Sequence, residues 1–576
     1  MIKNKLKVGL ISVVKEGDYL YEQEIHLGLA AIGSFLREKG YEVEFRLCLP
    51  NKGENEIDHA SELEADIYGF QLNIVNYWQV QSIVKKIKDR DPKVITVFGG
   101  PFLASLSERI LQNEAMFDFV VIGDGEYTVL ELLQNLENKK SDFSEITGLV
   151  WRNSSGLVIK NEKRSVDENL DVFPFPARDF LEKAMVDGKL VESIRISTSR
   201  GCVASCNFCC VNLYNKVQKG RSWRGRSPKH VVDELEYLAK NYGAKVFNFA
   251  DSSFEDPGES GKIRAAEICN EIIRRGLPIS AKIYMRCETM KTEKDIELLK
   301  LFKKAGIDVI IPGVEVGSSE ELKLYGKKAT FEDNLKTIEI LKKLDLFYIL
   351  PGFIMFGPYS TLKTVRSNIQ FLASLELCDN IMLLGNVLML LRDSKIYQML
   401  KEEGRLLENE SRFWELPKYN FMDQKIETLS KHWRYGSIFN HFPDVLKVNN
   451  LQINIGNLIS RMNNPMNAKI AFALANEFKV FKLKHSSLKA IFSKLQHEYF
   501  IKTIDIIERN CSSKELQEAA KENFGNTYSC YLPDYSKLYN EFLEKVKSNN
   551  FSLSGLIFNA FHSAMNEQDI EEFSTK

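Results

Sequence analysis

Arg200-Gly201-Cys202-Val203-Ala204-Ser205-Cys206-Asn207-Phe208-Cys209 follows a short β-type run and sets three cysteines at C-x3-C-x2-C. Each can ligate one iron of a cubane cluster. Such clusters are normally held by four thiolates, so a three-thiolate cradle leaves one iron for another ligand. An open iron on a reducing cluster implies chemistry rather than electron storage. The competing reading is zinc, but structural zinc takes four ligands in a closed tetrahedron. The next histidine, His230, lies 21 residues past Cys209, and Cys210 is too close to Cys209 to chelate the same metal well.

Reading outward, the cysteine loop opens a run of six βα units. Their expected strands are Ser193–Thr198, Lys245–Ala250, Ser280–Met285, Val309–Val316, Tyr348–Phe356 and Ile381–Met389. Ser227-Pro228 opens one intervening helix as N-cap and first turn, and Asp295–Ala305 carries a leucine stripe. Six units fall short of the usual eight-stranded closure, which predicts a partial (β/α)6 barrel over residues 191–405 with its chemistry at the strand carboxyl ends.

Residues 1–140 alternate strand and helix five times, with strands expected at Val8–Val14, Glu42–Cys48, Asp66–Ile74, Lys93–Phe98 and Phe117–Ile122. This is a doubly wound, flavodoxin-type, Rossmann-like α/β pattern, which binds ligands beyond the carboxyl ends of its strands. Gly99-Gly100 and Gly123-Asp124-Gly125-Glu126 stand at two of those ends. Residues 141–190 read as a polar connection stiffened by Phe173-Pro174-Phe175-Pro176, and residues 406–576 as a helical domain. Its aromatics include Phe413, Trp414, Trp433, Tyr435, Phe439 and Phe442.

A chain of 576 residues has room for about three domains. A net charge of −1 gives no global basic footprint, so nucleic acid is not an expected partner. Ten cysteines, four of them clustered, fit a reducing cytoplasm better than a disulfide framework. Leu6 to Val14 is too short for a signal peptide, and no apolar run reaches the ~20 residues of a spanning helix. The expectation is a cytoplasmic protein without a membrane partner.

With these landmarks the chain resembles the radical S-adenosylmethionine (SAM) superfamily, in its cobalamin-binding-domain branch. Trp223-Arg224-Gly225-Arg226-Ser227-Pro228, Gly313-Val314-Glu315-Val316-Gly317-Ser318, Lys327 to Thr330, Phe353-Ile354-Met355-Phe356-Gly357-Pro358 and Tyr397 to Gly404 add to the cysteine motif, in order. The resemblance implies that Cys202, Cys206 and Cys209 hold a [4Fe–4S] cluster whose open iron binds SAM. One electron from an external flavodoxin- or ferredoxin-type donor would release a 5′-deoxyadenosyl radical. Among SAM contacts it implies Phe208 beside the adenine, Asp251 at the ammonium, Arg286 at the carboxylate and Glu315 on the fourth strand. Where relatives often have a second acid after Asp251, this chain has Ser252.

The same resemblance makes Gly99, Gly100, Gly123, Gly125 and Glu126 the expected cobalamin contacts. The D-x-H-x-x-G motif for a lower axial histidine is absent, and His26 is offset from it. The expected activity is C-methylation of a small-molecule or peptide substrate, with the C-terminal domain as a cap over the substrate. Ring closure, rearrangement or oxidation without methyl transfer is the alternative. An RNA methylthiotransferase would need three cysteines in the first domain, where residues 1–150 hold only Cys48. A non-enzymatic sensor is the remaining reading, and the intact barrel landmarks oppose it.

Overall fold

The computed structural model describes residues 5–14, 25–50, 55–186, 193–407, 412–434, 438, 441–510, 513–549, 551 and 556. Tyr435 and Phe439 lie outside them. The first sheet has seven strands: β1 Val8–Val13, β2 Val43–Cys48, β3 Ile67–Gln71, β4 Ile95–Gly99, β5 Phe119–Val121, β6 Leu149–Arg152 and β7 Val158–Lys160. Their spatial order is β2-β1-β3-β4-β5-β6-β7. The five expected strands run parallel, and the chain returns antiparallel through β6 and β7. Residues 141–190 are thus more than a polar connection: their first part extends the sheet with a hairpin. Leu149, Val150 and Trp151 are buried by that pairing.

The second sheet comprises β8 Ile194–Ile196, β11 Val246–Phe249, β12 Ser280–Met285, β13 Ile307–Glu315 and β14 Tyr348–Ile349. All are parallel, in the order β14-β13-β12-β11-β8. A separate antiparallel pair, β9 Ser199–Gly201 with β10 Trp223–Gly225, brackets the cysteine loop, and β15 Gly352–Phe353 pairs β13 farther along. The expected sixth strand is a correction. Asn380 caps a helix over Ile381–Gly385, and only the bridge Phe356↔Val387 marks the strand position. An apolar run looks alike in a strand and a buried short helix, and here the Asn cap decides.

Alternation along the barrel strands separates two faces. Ala281, Ile283 and Met285 of β12 share one core with Ile268, Ile272, Leu299 and Phe302 of the outer helices. The intervening Lys282 and Tyr284 therefore face the lumen. That core continues into the C-terminal helices through Trp433, Phe500 and Tyr528.

The helix Pro443–Met462 packs on β13 and β14. A Cβ at its Gly456 would overlap the Tyr348 ring. At its end, Ser460 Oγ donates to the Asp308 carbonyl at 2.5 Å, while Asn464 Nδ2 donates to the Ile279 carbonyl at 3.0 Å and to Asp308 Oδ2 at 2.8 Å. These partners stand where β12 and β13 begin. The helices of the C-terminal domain thus close the open barrel edge and its amino-end floor, while Tyr419, ahead of them, packs in one apolar cluster with Phe208 of the cysteine loop.

Candidate active site

The cysteine loop owes its course to β9 and β10. Gly201 has φ +85°, and a Cβ there would overlap the Ser222 carbonyl, so glycine is required. Cys202 N donates to that carbonyl at 3.0 Å. Asn212 and Asn215 hold the loop from the next helix, donating to the carbonyls of Cys206 at 2.7 Å and Cys202 at 3.2 Å. The three thiols are half-buried, and burial pushes the Cys206 thiol up to about 11 and Cys202 upward as well. Among the described residues no three His, Cys, Asp or Glu side chains close on a single ion. A cubane needs one sulfur per iron, so three half-buried soft donors on one rigid loop fit a cluster.

Four acids and two cations stand around the loop. Glu315 occupies a left-handed position, φ +66°, at a register shift in β13, and its Oε1 accepts from Lys327 Nζ at 3.2 Å. A non-glycine residue held there marks a site where the fold over-determines the backbone. Burial opposes the Lys327 charge, but Glu315 and Cys206 more than restore it and raise its pKa. Arg286 pairs with Asp256 at 2.5 Å and with Glu288 at 2.9 Å. It is no surface bridge, since its side chain is 11% exposed and that of Asp256 fully buried. The Asp256 pair is close but poorly aligned for hydrogen bonding, so both carboxylate oxygens keep acceptor capacity. Glu255 accepts from Arg286 N at 2.9 Å and Thr289 Oγ at 2.8 Å, and burial lifts its pKa to about 7.

Asp251 has a structural task on one oxygen and keeps the other, Oδ2, without a hydrogen-bond partner. One oxygen accepts from Thr198 N at 2.9 Å, from Ser199 N and from Ser199 Oγ at 2.6 Å, fixing the turn ahead of the cysteines. Phe208 packs edge-on against Tyr325 at 5.5 Å. Glu255 and Asp256, four and five residues past Asp251, were not singled out in the sequence. Their signal is two adjacent carboxylates where the chain leaves β11.

A cavity of about 340 Å³ joins the two domains. Gly99, Gly100, Gly123, Gly125 and Glu126 line it from the first sheet, and Arg195, Ser197, Arg200 and Ala250 from the barrel. Its inner part is an apolar slot between Leu10, Val97 and Val121 on the strands and Leu29 and Ile32 on the helix Leu27–Glu38. A Cβ at Gly99 would come no closer than 3.9 Å to the chain, so packing alone does not demand glycine there. That spare room suits a bulky flat ligand. His26 also lines the cavity. Its Nδ1 caps the helix by accepting from Gly28 N at 3.2 Å, and burial followed by Arg195 lowers its pKa to about 4.

Glu126 lines the cavity, yet its carboxylate is committed to Arg200, at 2.6 Å. Asp124 joins them: it meets Arg200 at 3.1 Å and Arg224 at 2.7 Å, and accepts from Tyr214 at 2.7 Å. Gln218 Oε1 accepts from Asp124 N at 3.0 Å. This ion cluster sets the carboxyl ends of both sheets mouth to mouth.

Comparison with known proteins agrees with this arrangement. The Radical SAM superfamily model matches residues 196–372, and the B12 binding domain model matches residues 19–133. An uncharacterized methyltransferase of Pyrococcus horikoshii is 30% identical over 318 residues, covering 55% of this chain and 66% of the relative. The anaerobic magnesium-protoporphyrin IX monomethyl ester cyclase of Cereibacter sphaeroides is 26% identical over 288 residues, covering 50% and 46%. The chain thus spans less than two thirds of the length of these relatives. Among solved structures, the cobalamin-dependent SAM radical enzyme OxsB, with aqua-cobalamin and SAM bound, superposes with a TM-score of 0.67 at 18% identity, covering 100% of this chain and 84% of that one. At that identity the likeness shows the fold.

Proposed function

The chain belongs to the radical SAM superfamily and carries a B12-binding domain ahead of the radical SAM domain, and from that premise we propose that it methylates a carbon centre of a small-molecule or peptide substrate. The observation that carries the reading is a cavity lined by strand ends of both sheets, with Arg200, two residues before Cys202, on its wall. A ligand of the first domain and one at the cysteine loop would there face a common substrate. When bound, the cluster with SAM supplies a hydrogen-abstracting 5′-deoxyadenosyl radical and cobalamin supplies a transferable methyl group.

Cys202, Cys206 and Cys209 would hold the cluster. We assign the SAM ammonium contact to Asp256 ahead of Asp251, because Asp256 stands close enough to Cys202 to act on its thiol, while Asp251 Oδ1 is already taken by Thr198 and Ser199. Arg286 would position Asp256 and remain within reach of the SAM carboxylate. Glu315, held by Lys327, would accept hydrogen bonds from SAM hydroxyls. Gly99, Gly100, Gly123 and Gly125 would give the corrin room, while Glu126 would act through Arg200 on the fit between the domains. An external one-electron donor completes the set.

Anaerobic reconstitution with iron, sulfide and cobalamin, followed by reductant and SAM, tests this. Methylation predicts both 5′-deoxyadenosine and S-adenosylhomocysteine. The similarity to the cyclase supports a second reading, ring closure or oxidation, which predicts deoxyadenosine alone. A protein with a spectroscopically confirmed cluster and no deoxyadenosine, across candidate substrates, would refute both.

A further inference from the structure

The long helix Ala475–Glu508 is apolar on two sides. Its inner side packs into the core of the helical domain, where Phe481 stacks on Phe542 at 4.4 Å and Phe492 meets Tyr528 edge-on at 4.8 Å. Its outer side carries Val480, Leu483 and Ile491, all exposed, Leu483 to 60%. With the exposed Ser487 they fall at i, i+3, i+7 and i+11, a single stripe about 16 Å long at the rise of a helix. Phe472, on the preceding short helix Ala468–Ala473, is 87% exposed.

Positive charge frames the stripe. Between Ala468 and His497 the sequence holds six lysines and a single acid, Glu477. Lys482 is tied to Asp345, and Lys489 and Lys494 stand 3.8 Å from Asp379 and Glu498. Lys469, Lys479 and Lys484 are exposed and have no partner among the described residues. Helical geometry sets Lys479 and Lys484 on opposite flanks of the stripe and Lys494 at its far end. Exposed apolar side chains grouped in this way mark an interaction site. They protrude from the outer side of one helix, which suits a deformable partner that they can enter. Apolar tips between lysines, whose stems can snorkel, match the boundary of an anionic bilayer: headgroups meet the ammoniums and acyl chains meet the tips. Among the described residues no helix is long and apolar enough to cross a membrane, so such contact is peripheral.

We propose that this stripe docks the protein on an anionic lipid surface. Phe472, Val480, Leu483 and Ile491 enter the headgroup boundary, and Lys469, Lys479 and Lys484 hold the anionic headgroups. The expectation of no membrane partner rested on spanning segments and does not bear on surface contact. Lys482, within the stripe's length, reaches Asp345, which ends the helix Phe331–Leu344 and leads into the amino end of β14. The stripe thus belongs to the floor side of the barrel, and docking there leaves the opposite, cysteine-loop end free for substrate and electron donor. The proposal does not depend on the reaction proposed above.

Flotation of the full-length protein with vesicles of equimolar phosphatidylglycerol and phosphatidylcholine tests it without any cofactor. Saturable uptake is expected, about tenfold weaker on phosphatidylcholine alone and released by high salt. Phe472→Ser with Leu483→Ser, and separately Lys479→Gln with Lys484→Gln, should each lower the partition coefficient about tenfold or more. Both double variants should melt like the wild type, since all four side chains are exposed. The proposal is overturned if the wild type stays in the aqueous phase, if either double variant floats like the wild type, or if binding falls only together with the melting temperature. Uptake that appears only after residues 557–576 are removed would assign the stripe to the chain's own end. A dimer lost in the serine variant, without vesicle uptake, would assign it to a second copy. Either result overturns the proposal. Loss of SAM cleavage in reconstituted protein would instead count against the proposed reaction, so the two can fail separately.

Discussion

Arg200 and Glu126 meet at two points across the boundary between the first domain and the barrel, Nη2 to Oε1 at 2.6 Å and Nη1 to Oε2 at 3.3 Å. Arg200 stands two residues before Cys202, so the same side chain that docks the first domain also anchors the approach to the cysteine loop.

Breaking this pair leaves a buried charge. Glu126 is 4% exposed and Arg200 25%. Arg200→Met should cost about 3 kcal/mol, read by urea unfolding of the cofactor-free protein. Adding Glu126→Gln should cost less than the two single changes together, because the partners are coupled. Strict additivity would mean that the pair does not hold the domains together.

Gly201→Ala should deform the cysteine loop. The left-handed backbone and the Ser222 carbonyl both exclude a Cβ. We expect a loss of about 2–3 kcal/mol and iron incorporation well below wild type. Normal iron content would show that the loop tolerates a shifted β9.

Glu255 makes stability fall as pH rises. Its folded pKa, about 7, lies above the ordinary 4.5. Between those values the folded protein keeps a proton that the unfolded chain has released, so stability declines from about pH 4.5 to 7 and is level above. Glu255→Gln should flatten that slope and raise stability above pH 7 by up to about 3 kcal/mol. Denaturant midpoints across this range check it; an unchanged slope in the variant would assign the effect to other groups.

Lys303 Nζ bonds Asp308 Oδ1 at 2.5 Å and the Ser460 carbonyl at 2.7 Å, deep in the barrel floor. Lys303→Met strands the Asp308 carboxylate and should cost about 3–5 kcal/mol. Lys303→Met with Asp308→Asn should recover part of it. Circular dichroism melts decide this, and a neutral single variant would mean that the floor is hydrated.

The sequence carried the parallel units of both sheets because apolar strands and capped helices repeat there without interruption. Ser227 caps its helix as its position implies. The β6–β7 hairpin has a local signal inside the polar connection: Leu149-Val150-Trp151 and Leu157-Val158-Ile159 flank Asn153-Ser154-Ser155-Gly156, and Asn153 organises that turn. The run Ile381–Met389 misled because apolarity alone does not distinguish a strand from a buried helix. Within the site, the cysteine spacing is local and legible. Which carboxylate faces the loop is a tertiary fact. Asp251 and Asp256 are five residues apart on one loop, and only the fold turns the first toward Ser199 and the second toward Arg286.

The clamp of Asp124 and Glu126 on Arg200 and Arg224 has a mechanical consequence. The first domain and the cysteine loop move as one lever, so swinging the domain aside to admit a large ligand would unseat every one of those ion pairs together.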